Sequence, residues 1–202
     1  SGPAAVTLTG VVAKGALRNA TVRAHPVTDG SVDLGTVLGE TTTDTNGHYS
    51  LTFEATANQP YVIRVSATAE TRQLDEITGQ AEDVPDDFAM RALFVPAVGR
   101  AVTTSTSVTP FSEMAVAAAA SGAGGVTTAN ASQAMANVTA LLGFDPTQVT
   151  PTTIAGAGDN AQQLTYAAML TAVSKLANDG GLDCDQATLA DRTKCVVDTL
   201  AA

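Results

Sequence analysis

The chain has little aromatic and little basic character. Tryptophan is absent from its 202 residues, and aromatic residues make up only 4 % of them. Sugar sites normally use aromatic platforms, so carbohydrate binding and glycoside hydrolysis are disfavoured although paired carboxylates are present. Ten Lys and Arg residues stand against twenty Asp and Glu, which gives a net charge of −10. This charge disfavours binding to nucleic acids or to anionic membrane surfaces.

Cysteine is equally scarce, with only Cys184 and Cys195 present. No His lies near them and their spacing differs from a redox Cys-x-x-Cys motif, so neither a zinc site nor a redox site is favoured. The spacing suits a local disulfide, worth roughly 3 kcal/mol in the chain-entropy model. Disulfides persist in oxidising compartments, so we expect a periplasmic, outer-membrane surface or extracellular protein.

Long apolar segments are also missing. No run is apolar and charge-free enough to span a bilayer, so we expect no membrane span. No signal peptide is visible, and we expect any export signal to have been removed before Ser1.

Motifs of hydrolytic catalysis are absent as well. The only histidines are His25 and His48, and no Gly-x-Ser-x-Gly elbow presents a nucleophile to either. His48 faces away from an apolar stripe and His25 precedes Pro26 at a strand end, so both are predicted to lie on the surface. We therefore expect no enzyme, and a hydrolase is the least favoured of three functions considered.

The first half of the chain is typical of short strands. Tyr49, Leu51 and Phe53 recur at period 2 after Asn46-Gly47, so the stretch 41–53 predicts a β-hairpin between strands at 35–43 and 48–53. About seven strands of this kind between residues 4 and 108 predict an antiparallel Greek-key β-sandwich.

Beyond residue 108 the apolar period changes from 2 to 3.6. Thr109 and Pro110 are typical of a helix start. Three more helices are predicted, over 128–142 before Gly143, from the capping residue Asp159 to 178, and over about 186–200, the last held at its start by the cystine. The chain is thus predicted to be α+β, with a sandwich domain at 4–108 and a four-helix segment with a local disulfide at 109–202.

Three stretches of the first half resemble a known family. The residues Gly10–Val22, Thr42–Leu51 and Pro60–Val65 resemble the carboxypeptidase-regulatory-like, transthyretin-like β-sandwich. The resemblance implies a transthyretin-like or immunoglobulin-like sandwich but no particular activity, because such modules serve as accessory, ligand-binding and stalk domains.

Related pilin and adhesin sandwiches carry an isopeptide bond from a Lys on an early strand to an Asn on a late one. Here Lys14 stands at a strand end, and Arg64 and Ser66 stand where a helping Glu would be expected. An isopeptide bond is therefore not expected.

The second half resembles the helical part that follows such a sandwich in exported proteobacterial surface lipoproteins. The residues Val108–Glu113, Ala129–Asp145 and Tyr166–Gly181 carry the resemblance. It implies export and a lipid anchor in the native precursor, although the anchoring Cys is missing from this sequence.

Acidic residues form two groups whose oxygens could hold calcium, which accepts six to eight such ligands in irregular loops. Neither group has the spacing of an EF-hand, and solvated surface acids are the alternative reading; no other cofactor is expected. The candidate ligands are Asp75, Glu76, Asp83, Asp86 and Asp87 in one group and Asp179, Asp183 and Asp185 in the other.

The junction of strands and helices is the predicted place for a pocket. Phe111, Met114 and Tyr166 could hold an apolar small molecule or an extended peptide there, and plain core packing is the alternative. Exposed edge strands would instead favour a protein partner or self-association. We expect a non-catalytic binding or surface-assembly and adhesion module of a bacterial cell envelope, with a periplasmic small-molecule binder as the alternative.

Overall fold

The computed structural model describes residues 2–75, 78–152 and 160–201. These residues form eleven strands followed by four helices, so the protein is α+β, as predicted. Seven strands have four residues or more, and the other four have two or three. The strands are β1 Ala4–Val11, β2 Leu17–Arg18, β3 Thr21–Thr28, β4 Ser31–Val32, β5 Gly39–Thr42, β6 His48–Ala55, β7 Tyr61–Ser66, β8 Arg72–Leu74, β9 Ala81–Asp83, β10 Ala89–Phe94 and β11 Val102–Ser105. The helices are α1 Pro110–Ser121, α2 Thr128–Leu142, α3 Ala161–Asn178 and α4 Leu189–Ala201.

The described strands are arranged in three sheets. The first sheet has the order β11-β1-β6, and the third has the order β2-β8-β9. In the second sheet β10, β7 and β3 lie side by side, and both β4 and β5 pair with β3. All named pairs are antiparallel except β1 with β11, which is parallel.

Apolar side chains from the first two sheets form one hydrophobic cluster. Tyr49, Leu51 and Phe53 of β6 are buried, as their alternation predicts, and they belong to the same cluster as Leu8 of β1 and Ile63 of β7. Because successive residues of a strand point to opposite faces, each sheet contributes one face to this cluster.

The other face of the second sheet is covered by the helices. Val62 of β7 and Leu93 of β10 belong to a second cluster with Phe111, Leu170 and Val196. The second sheet therefore lies between the first sheet and the helices. Any cavity between the second sheet and the helices therefore has this sheet as its floor.

The prediction of a hairpin over 41–53 is wrong. β5 pairs with β3 in the second sheet, whereas β6 pairs with β1 in the first. The connecting turn is held by Asp44, whose Oδ1 accepts hydrogen bonds from the amides of Asn46 and His48 at 2.8 and 2.9 Å. Only Gly47 of the Asn-Gly pair has a positive φ, 78°, whereas a type I′ turn requires two.

The buried Thr43 explains why the two strands separate. Its hydroxyl donates to the carbonyl oxygen of Leu17 at 2.6 Å and accepts from the amide of Ala20 at 2.9 Å. The chain is thus bound beside the second sheet before it crosses to the first.

The two histidines differ. His48 is exposed, as predicted, but the prediction that His25 lies on the surface is wrong because only 2 % of it is exposed. β3, which carries His25, is an interior strand between β7 and β5. The Nδ1 atom of His25 lies 2.9 Å from the carbonyl oxygen of Thr36, in the segment that returns over this strand.

The start of α1 and the bounds of α2 agree with the predictions. Thr109 accepts hydrogen bonds from the amides of Phe111 and Ser112, and Pro110 is the first residue of α1. α2 covers 128–142, and Gly143 follows it with φ 80°. None of the described helices is long and apolar enough to cross a membrane.

The two later helices depart from prediction at their starts. The expected cap Asp159 lies outside the described residues, and Asn160 caps α3 through a reciprocal pair of hydrogen bonds with Gln163. α4 begins at Leu189 and carries Cys195 near its middle, so the cystine does not hold the helix at its start. Strands end and helices begin between residues 105 and 110, and a domain boundary there remains a prediction.

Candidate ligand-binding cavity

A tight turn places Lys14 inside the protein. Lys14 and Gly15 connect Ala13 and Ala16, which pair as an antiparallel bridge. Gly15 has φ 63°, and a Cβ atom there would lie 1.7 Å from the carbonyl oxygen of Leu74 in β8. Only glycine can therefore form this turn without displacing β8. Lys14 itself is only 3 % exposed.

The amine of Lys14 has no hydrogen-bond partner among the residues that the structure describes. The amine lies over the ring of Phe88, whose centroid is 5.6 Å from Nζ. Burial is the main effect on the pKa of Lys14 and lowers it to about 7. The carboxylates of Asp191 and Glu82 raise this pKa by smaller amounts, and the guanidinium of Arg192 lowers it further. Near neutral pH about half of the molecules therefore carry an uncharged amine at this position.

Lys14 lines a cavity of about 450 Å³ between the second sheet and two helices. Arg64 of β7 and Arg91 of β10 line it from the sheet, and Glu113 of α1 and Val197 of α4 line it from the helices. Small-molecule sites have volumes of about 300–1,000 Å³, so this cavity is large enough to hold a small organic ligand.

A row of three arginines crosses the second sheet, and two of them, Arg64 and Arg91, line the cavity floor. Arg23, Arg64 and Arg91 are register partners on β3, β7 and β10. Arg23 pairs with Glu40 at 2.5 Å and Arg91 pairs with Glu113 at 2.6 Å. No ion pair forms to the central Arg64 within the described part of the chain. The floor therefore carries one guanidinium group that no carboxylate neutralises.

Glu113 fixes the edge of the cavity. Both of its carboxylate oxygens accept hydrogen bonds from the Arg91 guanidinium, and Oε2 also accepts from the Arg91 backbone amide at 2.8 Å. The carboxylate is only 18 % exposed, so these charge-assisted bonds are little screened by water. They hold the first turn of α1 against β10.

The disulfide fixes the opposite wall. The Sγ atoms of Cys184 and Cys195 are bonded at 2.01 Å, which ties α4 to the segment that follows α3. The guanidinium of Arg192 adds a hydrogen bond from Nε to the carbonyl oxygen of Ala177 at 2.7 Å. Because α4 also carries Asp191 and Val197, these links position the helical side of the cavity.

The residues predicted to form a pocket lie in the hydrophobic core. Phe111, Met114 and Tyr166 are at most 9 % exposed, and the Phe111 and Tyr166 ring centroids lie 6.1 Å apart. The three line neither of the two cavities described here. A ligand bound among them remains a prediction.

Tyr166 has a clear structural role. Its hydroxyl lies 2.5 Å from Oγ1 of Thr109 and donates to the carbonyl oxygen of Pro146 at 2.9 Å. Because the tyrosine has one proton to donate, Thr109 must donate to Tyr166 while it accepts from the start of α1. Burial raises the pKa of the Tyr166 hydroxyl.

The carboxylates predicted to bind calcium do not form one group. Among the residues that the structure describes, no three His, Cys, Asp or Glu side chains are placed to hold a metal ion. Asp83 pairs with Arg72 at 3.1 Å, and Asp179 pairs with Lys175 at 2.7 Å.

The remaining candidate ligands are scattered. Asp75 is buried and its Oδ1 accepts from the amide of Thr78 at 3.3 Å, whereas Glu76 lies outside the described residues. Asp87 lines the cavity. Calcium binding remains a prediction. Asp86, Asp183 and Asp185 are exposed, as are Asp83, Asp87 and Asp179.

Sequence reasoning missed Lys14 as a site residue. The signal that could have found it is a lone cation in the apolar run Val11-Val12-Ala13-Lys14-Gly15-Ala16-Leu17. A charge in such a run, next to a turn glycine, indicates an amine that the fold carries inward.

A second cavity of about 380 Å³ lies between the β10–β11 connection and α2. Val95, Val98 and Met135 line it, and its carboxylate is that of Asp145. Oδ1 of Asp145 already accepts from the amide and the hydroxyl of Thr147 at 2.8 and 2.7 Å. This cavity therefore offers less to a polar ligand group than the cavity beside Lys14.

Comparisons with known proteins do not assign the chain. No protein-family model matches it, and no curated protein matches it significantly. Among solved structures it is similar to a 9R-lipoxygenase from Cyanothece PCC8801, with 14 % sequence identity and a TM-score of 0.22. That similarity covers 51 % of this chain and 16 % of the lipoxygenase chain. A TM-score of this size supports no conclusion about fold or function.

Proposed function

We propose that the protein is a non-catalytic binding module that holds one small, largely apolar molecule in the cavity beside Lys14. The observation that carries the proposal is that Lys14, which lines a 450 Å³ cavity, has a buried amine without a hydrogen-bond partner among the described residues. A buried polar group left unpaired costs about 1–3 kcal/mol. A ligand that carries a hydrogen-bond acceptor would remove this cost and add apolar contacts.

The lining supports a ligand with an apolar body and one polar end. Phe88 and Val197 supply apolar wall, and Leu34, 55 % exposed, lines the cavity where it meets solvent. Lys14 and Arg64 are the cationic groups that lack an ion pair in the described cavity lining. The polar end of the ligand would therefore face these two side chains.

The fold and the location belong to the same proposal. We infer that the strand half is a transthyretin-like Greek-key sandwich, supported by the single cluster that two sheets share and by seven longer strands. The disulfide supports export, because such bonds persist in oxidising compartments. A bacterial cell-envelope location, with a lipid anchor in the precursor, is consistent with both.

Self-assembly by strand addition has less support. The free edge of β6 is approached by β5, where a Cβ atom on Gly39 would lie 2.6 Å from the carbonyl oxygen of Thr52. At the other edge of this sheet, the carbonyl oxygen of Ser105 in β11 accepts from Nε2 of Gln148 at 3.0 Å. Two edges that an adhesion module could extend are therefore partly occupied.

A fluorescent dye tests the proposal directly. Anilinonaphthalene sulfonate, which has an apolar body and one anionic group, should bind saturably with one site per chain. Ala89→Trp, which fills the cavity from an exposed position on β10, should abolish this binding. Ala136→Trp, at an exposed position on α2, is the matched control and should leave it unchanged. Equal binding by both variants would overturn the proposal.

Native mass spectrometry of protein purified from its own host separates binding from assembly. An added mass of a few hundred daltons on the monomer would support the cavity and indicate the ligand class. A ladder of oligomers at the bare protein mass would instead support assembly as the main function.

A further inference from the structure

We propose that Lys14 attaches its ligand covalently, by adding its Nζ amine to the carbonyl carbon of an aldehyde or ketone and forming a reversible imine. The inference rests on the proposed binding function and names its ligand class, an apolar carbonyl compound. The cavity, the burial of Lys14 and the missing hydrogen-bond partner carry it.

The environment of Lys14 differs from that of the other lysines. The chain has three, and Lys175 and Lys194 are exposed and paired with Asp179 and Asp198 at 2.7 and 2.5 Å. The lysine side chain of a model peptide in water has a pKa of about 10.4, so roughly one amine in a thousand or fewer is uncharged there at pH 7. Only the uncharged amine has the lone pair that attacks a carbonyl carbon, and a desolvated lysine is a recognised way to supply it.

The same environment disfavours a simple ion pair with a carboxylate ligand. The charges of Asp191 and Glu82 already favour the ammonium form, yet burial still lowers the pKa of Lys14 to about 7. An anionic group placed at Lys14 itself would have to bind the charged form that burial opposes, whereas at Arg64, which also lines the cavity, it would meet a permanent charge. A carbonyl compound binds the uncharged form, which the cavity stabilises.

The reaction needs no reagent beyond the two partners. The Nζ lone pair forms a C–N bond as the carbonyl π bond opens, and the nitrogen proton moves to the oxygen through water to give a carbinolamine. The hydroxyl then leaves as water with the remaining nitrogen proton, and a C=N bond forms. Nothing is oxidised or reduced, and addition of water reverses each step. A cavity that a ligand fills excludes that water, so the bound imine is protected.

Trapping with a reductant tests the inference on the whole protein. Wild-type protein is treated near pH 7 with hexanal and sodium cyanoborohydride, and the modified lysines are mapped by peptide mass spectrometry. We expect one adduct per chain at Lys14, with the mass of hexanal less one oxygen, formed about tenfold faster or more than at Lys175. Lys194 lines the same cavity but is exposed and paired with Asp198, so it too should react more slowly than Lys14. The comparison of three lysines in one molecule needs no variant.

Variants and dye displacement separate the two proposals. Lys14→Met should lose the fast adduct, and Ala89→Trp should slow it at least about tenfold, whereas Ala136→Trp should not. If hexanal displaces anilinonaphthalene sulfonate but labels the three lysines equally, the imine is refuted and the cavity function stands. If neither saturable dye binding nor a Lys14 adduct is found, both are refuted.

Discussion

Replacement of Lys14 by methionine should stabilise the protein most at neutral and acidic pH. Methionine has a similar length and no charge, so it fills the same space without the cost of burying an ammonium group. That cost is what lowers the pKa of Lys14 from 10.5 to about 7. Each pH unit of such a shift corresponds to about 1.4 kcal/mol. The full shift of the pKa from 10.5 to about 7 corresponds to roughly 4–5 kcal/mol of stability, which the wild-type protein lacks below pH 7.

The stability of the wild-type protein depends on pH because the folded and unfolded states bind the Lys14 proton with different affinities. Between pH 7 and pH 10.5 the unfolded chain holds the proton on Lys14 and the folded protein does not. Raising the pH through this window therefore stabilises the folded wild-type protein, by about 1.4 kcal/mol for each unit. Below pH 7 both states hold the proton, and the difference between wild type and Lys14→Met stays constant.

Urea unfolding near pH 6, 7, 8 and 9 measures the effect. The advantage of Lys14→Met should be greatest at the two lower values and shrink by roughly 2 kcal/mol between pH 7 and pH 9. Lys194→Met, at an exposed lysine, is the matched control and should show no such trend. Stability curves for wild type and Lys14→Met that stay parallel across this range would refute the account of the buried amine.

Three further substitutions test the contacts around the cavity and the core by urea unfolding. Tyr166→Phe should lower the free energy of unfolding by about 2 kcal/mol, because Thr109 and the carbonyl of Pro146 lose their buried partner. The control Tyr61→Phe should lower it less, because the Tyr61 hydroxyl accepts only one part-buried hydrogen bond from an amide. Equal losses would contradict the hydrogen-bond argument. Gly15→Ala should cost about 2 kcal/mol or more through its positive φ and the contact with β8, and a neutral effect would show that the turn is misplaced. Glu113→Gln should lower the free energy of unfolding by about 1–2 kcal/mol, since it removes the charge that pairs with Arg91; unchanged stability would show that the pair does not hold α1 to the sheet.

Local signals in the sequence predicted the elements whose causes are local. α2 covers the predicted range 128–142 and ends before Gly143, as predicted, and the structure adds Thr127 as its N-terminal cap. The buried face of β6 follows from its alternation, because period 2 determines which side chains share a face whatever strand lies alongside.

Strand partners were less predictable. The hairpin over 41–53 satisfied every local rule. The hydroxyl of Thr43 nevertheless bonds to the backbone of Leu17 in β2 and of Ala20 just before β3, and the two strands separate. His25 precedes a proline and is polar, but the interior position of β3 buries it. Strand pairing depends on residues far apart in the chain, so a local sequence pattern cannot specify which strands pair.

The candidate site was almost entirely outside the reach of sequence reasoning. Asp87 is the one residue predicted for a site that lines the cavity, and it was predicted as a calcium ligand. Phe111, Met114 and Tyr166 were assigned to a pocket because apolar side chains at a junction suit one, but such side chains suit a packed core equally well.

By itself, the sequence determined the α+β class, the order of strands before helices, the acidic net charge and the one cystine, because composition and short-range periodicity decide these. Only the tertiary structure decided that the second sheet lies between the first sheet and the helices and that Lys14 meets α4 across a cavity. The chemistry of that amine depends on desolvation, which comes from groups at opposite ends of the chain. A lysine is charged or uncharged according to what folds around it, and no neighbour in the sequence specifies that.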